Sequence, residues 1–513
     1  MMMRNLRSFG VHSAIVAAMA VVTGCGGQPS DFGESDVGET IQKNDARSSA
    51  KKTALKGAPS LKPQSGGGSA NALPQIKLLP TDGSARDEFG VSVSISGNTA
   101  VVGAIYDDDL GGDAGSAYVF VEENGVWRQQ AKLLGKDGRA GDYFGISVAI
   151  AGNRILVGAA EASTDGVRTG AAYVYDRVAD VWTFTQKLTP SSAVTSDYFG
   201  YAVALEGDVA VIGAPQTDSV AYDSGAAYIF RFDGTQWNEV DKIWPATGGT
   251  YGFFGGSLAL WGTTALIGQW DDGSGEDRGS VFAYKENNGA WLVQEELVAS
   301  DSTPGDTFGF SVAIYKNKAF VGAPFRDSGC DNSGAAYVFG RYNEDWCEEQ
   351  IITPDDKNAS QAFGSSVAVW GDMAAIGSYW DEDNGEYSGS AYTYRSTNDV
   401  WNYQFKYVPQ DGVVGQLFGI SAAMDGDRVI VGANGDDDNG IDSGAAYQFS
   451  VLEDPGGPLA PVVDTPTPPE TKAAAAAPQC TMQAGTNSTT TPWFVVVGLA
   501  AMGLRRLSRR NRA

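Results

Sequence analysis

Residues Asp142–Ile150 read DYFGISVAI, and the pattern returns at Asp197–Leu205 as DYFGYAVAL. The shared Phe-Gly pair recurs every 54 or 55 residues along the chain, at Phe89, Phe144, Phe199, Phe254, Phe308, Phe363 and Phe418. Self-similarity at a fixed period of this size is typical of repeat architectures. The chain is therefore an array of seven repeats.

Each repeat contains the same order of segments. A short alternating segment follows Phe-Gly, then a Gly-Asn or Gly-Asp turn such as Gly97-Asn98, then an apolar run such as Ala100–Ala104. Period-two apolarity around such a turn predicts a β-hairpin. An acidic loop, a Gly-Ser/Ala-Ala-Tyr run and a segment opened by Trp follow, which brings the predicted strands to four per repeat.

These features predict an all-β fold, a seven-bladed β-propeller of four-stranded antiparallel blades. The fourth strand of the first repeat ends in Gln-x-Lys-Leu-Leu at 130–134, and a further copy precedes the first Phe-Gly at Gln75–Leu79. The last repeat stops after Gly444–Ser450 without a fourth strand. We therefore expect Gln75–Leu79 to complete the last blade, which removes two free sheet edges.

The repeats resemble the FG-GAP repeats of the integrin α-subunit propeller, and more closely their bacterial relatives. The resemblance rests on Phe-Gly followed by Gly213-Ala214-Pro215 and Gly322-Ala323-Pro324, and it covers roughly 73–452. It implies the same propeller and, by analogy of fold, a role in adhesion. The fourth repeat departs from the pattern at Tyr251–Gly255. The calcium motif of integrins lies between Phe-Gly and Gly-Ala-Pro, where this chain has only a tight turn.

The predicted domains outside the propeller begin with a secretory signal at 1–24, which has a basic start and an apolar run. Cys25 follows and is similar to the lipid-bearing cysteine of bacterial lipoproteins; the alternative is an ordinary signal peptide. Residues 25–72 are rich in Gly, Ser, Lys and Asp, a composition that predicts a disordered tether.

After the predicted propeller at 73–452 comes a linker rich in Pro, Ala and Thr at 453–491, then an apolar segment and an Arg-rich end at 492–513. The order Cys480, apolar segment, Arg505 and Arg506 resembles the C-terminal sorting tails of myxobacterial surface proteins. The alternative is a weak membrane anchor. We expect an exported, lipid-anchored protein of the outer membrane or cell surface.

The net charge of −26 makes nucleic acid an unfavourable partner and leaves a protein or glycan ligand as the expected one. The only histidine is His12, in the signal segment. The remaining chain therefore cannot form a Ser-His-Asp triad or a His-ligated metal site. We predict no catalytic residues and no enzyme activity.

Two cysteines fall in the fifth repeat, Cys330 before its third strand and Cys347 early in its fourth. A strand rises about 3.3 Å per residue, so opposite ends of one strand exceed the roughly 7 Å that a disulfide spans. A bond between them is therefore doubtful.

Acidic clusters occur in the loops before the third strand of four repeats. Alternating carboxylates with a nearby glycine suit the oxygen coordination of calcium. The candidate calcium ligands are Asp107, Asp109, Asp113, Asp271, Asp277, Asp381, Asp383, Asp436, Asp438 and Asp442. The alternative is a solvated acidic loop that favours solubility and turn formation. Either way, one face of the ring should be electronegative.

The sequence thus favours a surface-anchored, non-enzymatic binding or adhesion protein that recognises a protein or glycan through its acidic loops. Two alternatives remain open: a propeller lyase or glycoside hydrolase that uses carboxylates, and a structural component of the cell envelope.

Overall fold

The computed structural model describes residues 75–451 apart from 165, 193, 246–248, 272–275, 355 and 357–359. All regular elements in these ranges are β-strands. A helix long and apolar enough to cross a membrane was searched for in these same ranges, and none was found. The predicted signal, tether, linker and tail, with Cys25, Cys480, Arg505 and Arg506, lie outside the described residues.

The strands form seven four-stranded antiparallel sheets, which are the blades of a propeller. Blade 1 consists of β2 (Phe89–Ser96), β3 (Thr99–Ala104), β4 (Ser116–Glu123) and β5 (Val126–Leu133). Blade 2 consists of β6 (Phe144–Ala151), β7 (Arg154–Ala159), β10 (Ala171–Val178) and β11 (Val181–Leu188). Blade 3 consists of β12 (Val203–Glu206), β13 (Val209–Ala214), β14 (Ala226–Phe232) and β15 (Trp237–Ile243). A small extra hairpin, β8 (Ser163–Thr164) and β9 (Val167–Arg168), projects from blade 2.

Blades 4 to 6 follow the same order. Blade 4 consists of β16 (Ser257–Trp261), β17 (Thr264–Gln269), β18 (Ser280–Asn287) and β19 (Ala290–Leu297). Blade 5 consists of β20 (Ser311–Tyr315), β21 (Lys318–Ala323), β22 (Ala335–Tyr342) and β23 (Asp345–Ile352). Blade 6 consists of β24 (Phe363–Trp370), β25 (Met373–Ser378), β26 (Ser390–Thr397) and β27 (Val400–Tyr407). The predicted fold class is confirmed.

Blade 7 contains both ends of the described chain. Its strands are β28 (Ala422–Asp425), β29 (Arg428–Ala433), β30 (Ala445–Ser450) and β1 (Ile76–Leu78). The register pairs Lys77 with Tyr447. The predicted closure of the ring by the N-terminal strand is therefore confirmed, and it covers the outer edge of β30 along those three residue pairs.

The two ends of the ring differ in their connections. In every blade the first strand is innermost and packs against the first strand of the next blade. We call the end that carries the loops between the second and third strands, and between successive blades, the loop face. The end that carries the two tight turns of each blade is the hairpin face.

The hydrophobic cores lie between blades. Each of the seven clusters of buried apolar side chains combines residues from two neighbouring blades. One of them packs Val101 and Val119 of blade 1 against Phe144 and Tyr173 of blade 2. A single blade therefore cannot bury its own apolar faces, as expected for stacked repeats.

The Phe-Gly glycine brings the backbones of neighbouring blades into contact. The Gly145 carbonyl oxygen accepts a hydrogen bond from the Ser92 hydroxyl of the preceding blade at 2.8 Å. The same oxygen lies 2.0 Å from where a Cβ on Gly103 would be. The second strand therefore needs a glycine at this position, because the backbone of the next blade lies too close for a side chain. This requirement explains the Gly103-Ala104 pair at the end of that strand.

The two cysteines of blade 5 lie where the sequence placed them. Cys330 precedes β22, and Cys347 lies opposite Gly340, towards the other end of that strand. Neither is a free thiol. Each is disulfide-bonded, and the doubt about a bond between these two cysteines stays a prediction.

Candidate functional site

A lysine side chain lies at the centre of three of the acidic clusters on the loop face. In blade 1, Lys132 Nζ lies 2.9 Å from Asp82, 2.7 Å from Asp107 and 2.7 Å from Asp109. Asp82 comes from the loop that enters the blade, and the other two acids come from the β3–β4 loop. We call this arrangement a lysine cage.

The cage recurs in blades 6 and 7. Lys77 Nζ lies 2.7 Å from each of Asp411, Asp436 and Asp438. Lys406 Nζ lies 2.8 Å from Asp381 and 2.6 Å from Asp383, and it also pairs with Asp356. The lysines sit on the fourth strands, directly opposite the repeated tyrosines of the third strands.

The tyrosine of each cage donates to the buried carboxylate. Tyr118 Oη donates to Asp107 at 2.9 Å, and Tyr447 Oη donates to Asp436 at 3.0 Å. The lysine ammonium also lies over the ring, 5.1 Å from the centroid in the case of Lys132 and Tyr118. The repeated tyrosine therefore packs in the core by its ring and orients the cage by its hydroxyl.

The cages keep their lysines charged. Burial alone lowers the pKa of Lys132, but its hydrogen bonds to Asp107 and Asp109 outweigh burial and raise the pKa above the ordinary lysine value. The same balance raises the pKa of Lys77. At neutral pH each cage therefore holds one ammonium ion among three acids.

The cages bear directly on the predicted calcium ligands. Carboxylate oxygens of Asp356, Asp381 and Asp383 lie within 4.8 Å of one another, a spacing that could hold a metal ion. The Lys406 ammonium occupies the position between them. While the lysine is in place, the arrangement in blades 1, 6 and 7 does not fit calcium, because a second cation would meet the first.

Asp113 and Asp442 do not join the acids with which the sequence grouped them. Asp113 has a φ of 58°, and its amide donates to the Asp108 carboxylate at 2.8 Å. Asp442 has a φ of 55°, and its amide donates to the Asp437 carboxylate at 2.8 Å. They shape the far end of the loop, while the third acid of each cage comes from the preceding inter-blade loop. Asp271 and Asp277 flank the undescribed residues 272–275, and calcium binding at this cluster stays a prediction.

Blades 2 and 5 have a related ion pair in place of the cage. Lys187 bonds one carboxylate, Asp137, at 2.7 Å. In blade 5 the residue opposite Tyr337 on the fourth strand is Ile351, which carries no charge. The cation there is Arg326, from the loop between β21 and β22, and it pairs with Asp301. These two blades thus keep a cation beside the tyrosine, from the fourth strand in blade 2 and from a loop in blade 5. Blade 4 has Phe282 opposite Glu296 at the corresponding positions.

In blades 1, 2, 3 and 5 the residue two positions before the Phe-Gly pair is an aspartate that accepts a hydrogen bond within its own loop. The Asp87 carboxylate accepts a hydrogen bond from the Ser84 amide at 2.7 Å, and Asp142, Asp197 and Asp306 each accept one from the amide three residues earlier. Blades 6 and 7 have Gln361 and Gln416 here, whose amides donate to Asp381 and Asp436.

In blade 1 the negative charge of Asp107 makes ionisation of Asp87 unfavourable. Burial chiefly, and the Asp107 charge in addition, raise the pKa of Asp87 to about 6. Because the folded pKa lies above the unfolded one, the stability contributed by Asp87 is present below about pH 4 and is lost as pH rises through about 6.

We predict that Asp87→Gln stabilises the protein, since a glutamine can donate to Asp107 as Gln416 does to Asp436. The expected gain is about 1 kcal/mol at pH 8 and close to zero at pH 4.5. Thermal unfolding at both pH values measures it. Asp142→Gln is the matched control, because Ala162 replaces the neighbouring acid there. An equal gain in the two variants would contradict the explanation.

Near the central channel, Glu88 also has a perturbed carboxyl group. Burial raises the pKa of Glu88 to about 7, although the Asn434 amide donates to it at 3.0 Å. The corresponding residues of the other blades are Tyr143, Tyr198, Phe253, Thr307, Ala362 and Leu417. This acid was missed at the sequence level, and alignment of the seven repeats at this position would have revealed it.

An aromatic row at the mouth of the channel was also missed. Five partly exposed rings on the loop face of blades 4 to 6 form a row in which each ring contacts the next. Between ring centroids, Phe253 stacks on Trp270 at 5.8 Å and Trp270 contacts Phe310 at 6.0 Å. Phe310 contacts Phe325 at 6.2 Å, and Phe325 contacts Trp380 at 5.6 Å. We call these five residues the aromatic arc. At these positions the other repeats have small residues such as Gly435 and Ser365, or tyrosines such as Tyr106 and Tyr201. Tyr201 of blade 3 contacts Trp270 at 6.0 Å.

Comparison with known proteins shows the family. The FG-GAP repeat model matches seven segments, at 74–120, 127–175, 182–230, 237–284, 291–339, 346–394 and 401–449. A search of curated proteins found no match. Among solved structures, a chain in "Crystal Structure of Mitotic Checkpoint Complex" aligns with 12% identity and a TM-score of 0.47, over 78% of this chain and 100% of that chain. Since the matched segments make up more than half of its residues, the chain belongs to the FG-GAP repeat family.

Proposed function

We propose that this protein is an exported, surface-anchored, non-enzymatic binding protein that recognises a protein or glycan partner through the loop face of its propeller. The FG-GAP propeller is consistent with binding and adhesion. Export and the lipid anchor at Cys25 are expected from the sequence.

The observation that carries this proposal is the position of the chain ends. Strand β30 runs from the loop face to the hairpin face, where the Val451 amide donates to the Asp427 carbonyl at 2.9 Å. Asp427 lies in the turn between β28 and β29, and β1 runs antiparallel to β30. Both connections to the predicted anchor segments therefore leave from the hairpin face, and the loop face is the one directed away from an anchor.

The loop face is also preorganised. Its acids are held by lysine cages and by backbone amides, so little side-chain entropy remains to be lost on binding. Residues that protrude from rigid loops above a stable scaffold are well suited to recognition. These features favour a binding surface over an enzyme site, and the lack of histidine in the propeller favours the same conclusion.

A face-specific block tests the proposal. Beads coated with the full-length protein should adhere to cells or extracellular material of the producing organism. We expect a polyethylene glycol maleimide attached to Val414→Cys, an exposed loop-face site, to reduce adhesion at least about tenfold. The same polymer on Thr235→Cys, in the exposed β14–β15 turn of the hairpin face, should have little effect.

Wild-type protein treated with the reagent is the blank for this assay. Adhesion that is blocked equally from both faces, or from the hairpin face alone, would contradict recognition through the loop face.

A further inference from the structure

We propose that the aromatic arc is a binding site for a neutral glycan, whose sugar rings stack on Trp270, Phe310, Phe325 and Trp380. This inference rests on the proposed function and names the chemical class of the partner. The ligand would lie across the loop-face mouth of the channel on blades 4 to 6.

The arc rings are not part of the inter-blade cores. Among the described residues, the seven apolar clusters and the side chains packed against them include the repeated Phe and Tyr residues but none of the five arc rings. The aromatic residues at the opposite end of the channel differ, since Trp261, Tyr315 and Trp370 do pack against these cores. Packing therefore accounts for the hairpin-face rings and not for the arc.

The chain makes room for the arc at one position. A Cβ on Gly256 would lie 1.8 Å from a ring carbon of Trp270, so the indole lies directly over this glycine. Tyr201 and Phe310 occupy the same repeat position in blades 3 and 5. The irregular fourth repeat thus combines a missing side chain with a large ring that covers the gap, and contact with Phe253 and Phe310 further restrains that ring.

Three cations of blades 4 to 6 pair with acids. Arg278 bonds Glu276 at 2.7 Å, Arg326 pairs with Asp301, and Lys406 bonds Asp381 at 2.8 Å. The Lys406 cage still holds three carboxylates and one ammonium, so the neighbourhood is acidic, with its acids held in place by cations. It still offers both donors and acceptors at fixed places around the rings.

A neutral glycan fits these properties. Pyranose rings present apolar C–H faces that pack on aromatic faces, and their hydroxyl groups donate to carboxylates and accept from cations. Recognition sites commonly combine aromatic surface with a few placed polar groups. Anionic polymers are disfavoured by the overall charge. A row of four ring-to-ring steps, each 5.6–6.2 Å, favours an oligosaccharide over a single sugar.

Affinity electrophoresis of the full-length protein tests the inference. The gels contain hydroxyethyl cellulose, xyloglucan, galactomannan or dextran as neutral probes, with polygalacturonate and poly-L-lysine as charged ones. We expect retardation by at least one neutral polysaccharide. Trp380→Ala and Trp270→Ala should each weaken it by about tenfold or more.

Trp370→Ala is the matched control, because this tryptophan lies in the same blade as Trp380 but at the hairpin face. Thermal unfolding of each variant shows whether it retains the native fold, and the two arc variants serve as independent replicates. Unchanged retardation in both arc variants, or an equal loss in Trp370→Ala, would overturn the proposal.

The remaining outcomes are also decisive. No retardation by any neutral polysaccharide overturns the glycan site. Retardation by poly-L-lysine alone overturns it in favour of a basic peptide partner. If bead adhesion still depends on the loop face while no polysaccharide binds, only this inference fails; if the face-specific block also has no effect, the proposed function fails with it.

Discussion

Replacing Lys406 with methionine should destabilise the propeller by roughly 3 kcal/mol, because the change leaves Asp356, Asp381 and Asp383 without their shared cation. Asp381 is completely buried, so water cannot replace the ammonium ion. Methionine keeps the apolar stem of the side chain as far as the ε position and lacks only the ammonium group, which isolates the loss of charge. Thermal and denaturant unfolding measure the effect.

Lys187→Met is the matched control. This lysine occupies the same strand position in blade 2 but bonds a single carboxylate that is about half exposed. The expected loss is below about 1 kcal/mol, as for ordinary surface ion pairs. If the two variants unfold alike, the cage in blade 6 contributes no more than an ordinary ion pair.

The Lys406→Met variant also tests the relation between the cages and calcium. Once the ammonium is removed, three carboxylates remain close enough to share an ion. Millimolar calcium should then raise the melting temperature of this variant, since oxygen ligands in this arrangement suit calcium. The wild-type cage should give no such increase, and an equal increase in both proteins would place the responding calcium elsewhere.

The second large effect is expected for Gly145→Ala, at the Phe-Gly position of blade 2. Gly145 has φ of +96°, and an added Cβ would lie 2.2 Å from the Ser116 carbonyl oxygen of blade 1. Backbone strain and overpacking then act together, with an expected cost of about 3–5 kcal/mol. Urea unfolding measures it, and the loss should be the same with or without calcium.

Gly152→Ala separates these two causes. Gly152 also has positive φ, +58°, but an added Cβ would meet nothing within 4 Å. Only the conformational cost remains, about 1–2 kcal/mol. Equal losses at both glycines would show that the contact between blades contributes nothing to the Phe-Gly requirement.

The sequence alone was sufficient to predict the architecture. The spacing of Phe-Gly pairs, the Gly-Asn turns and the alternating apolar segments are local signals, and each is repeated seven times along the chain. The displaced copy at Gln75–Leu79 even predicted which strand closes the ring. Such patterns are readable because strand pairing within a blade joins neighbouring segments.

The composition of the candidate sites depended on contacts between distant segments. The acidic residues were recognised, but grouping them by sequence placed Asp113 with Asp107 and Asp109, whereas the fold brings in Asp82 from the preceding loop. Lys132 joins them from the fourth strand and lies where a metal ion was expected. A positive charge from a strand end cannot be assigned to an acidic loop before the register is known.

The sequence by itself therefore determined the repeat number, the strand order, the closure of the ring and the acidic character of one face, because these follow from local and periodic patterns. Only the tertiary structure decided which cation each acidic cluster holds and that five rings from three repeats form one arc. Apart from Phe325 and Trp380, which share one repeat position, the arc rings come from different repeat positions. They meet only because the closed ring brings the first strands and loops of neighbouring blades together around one channel.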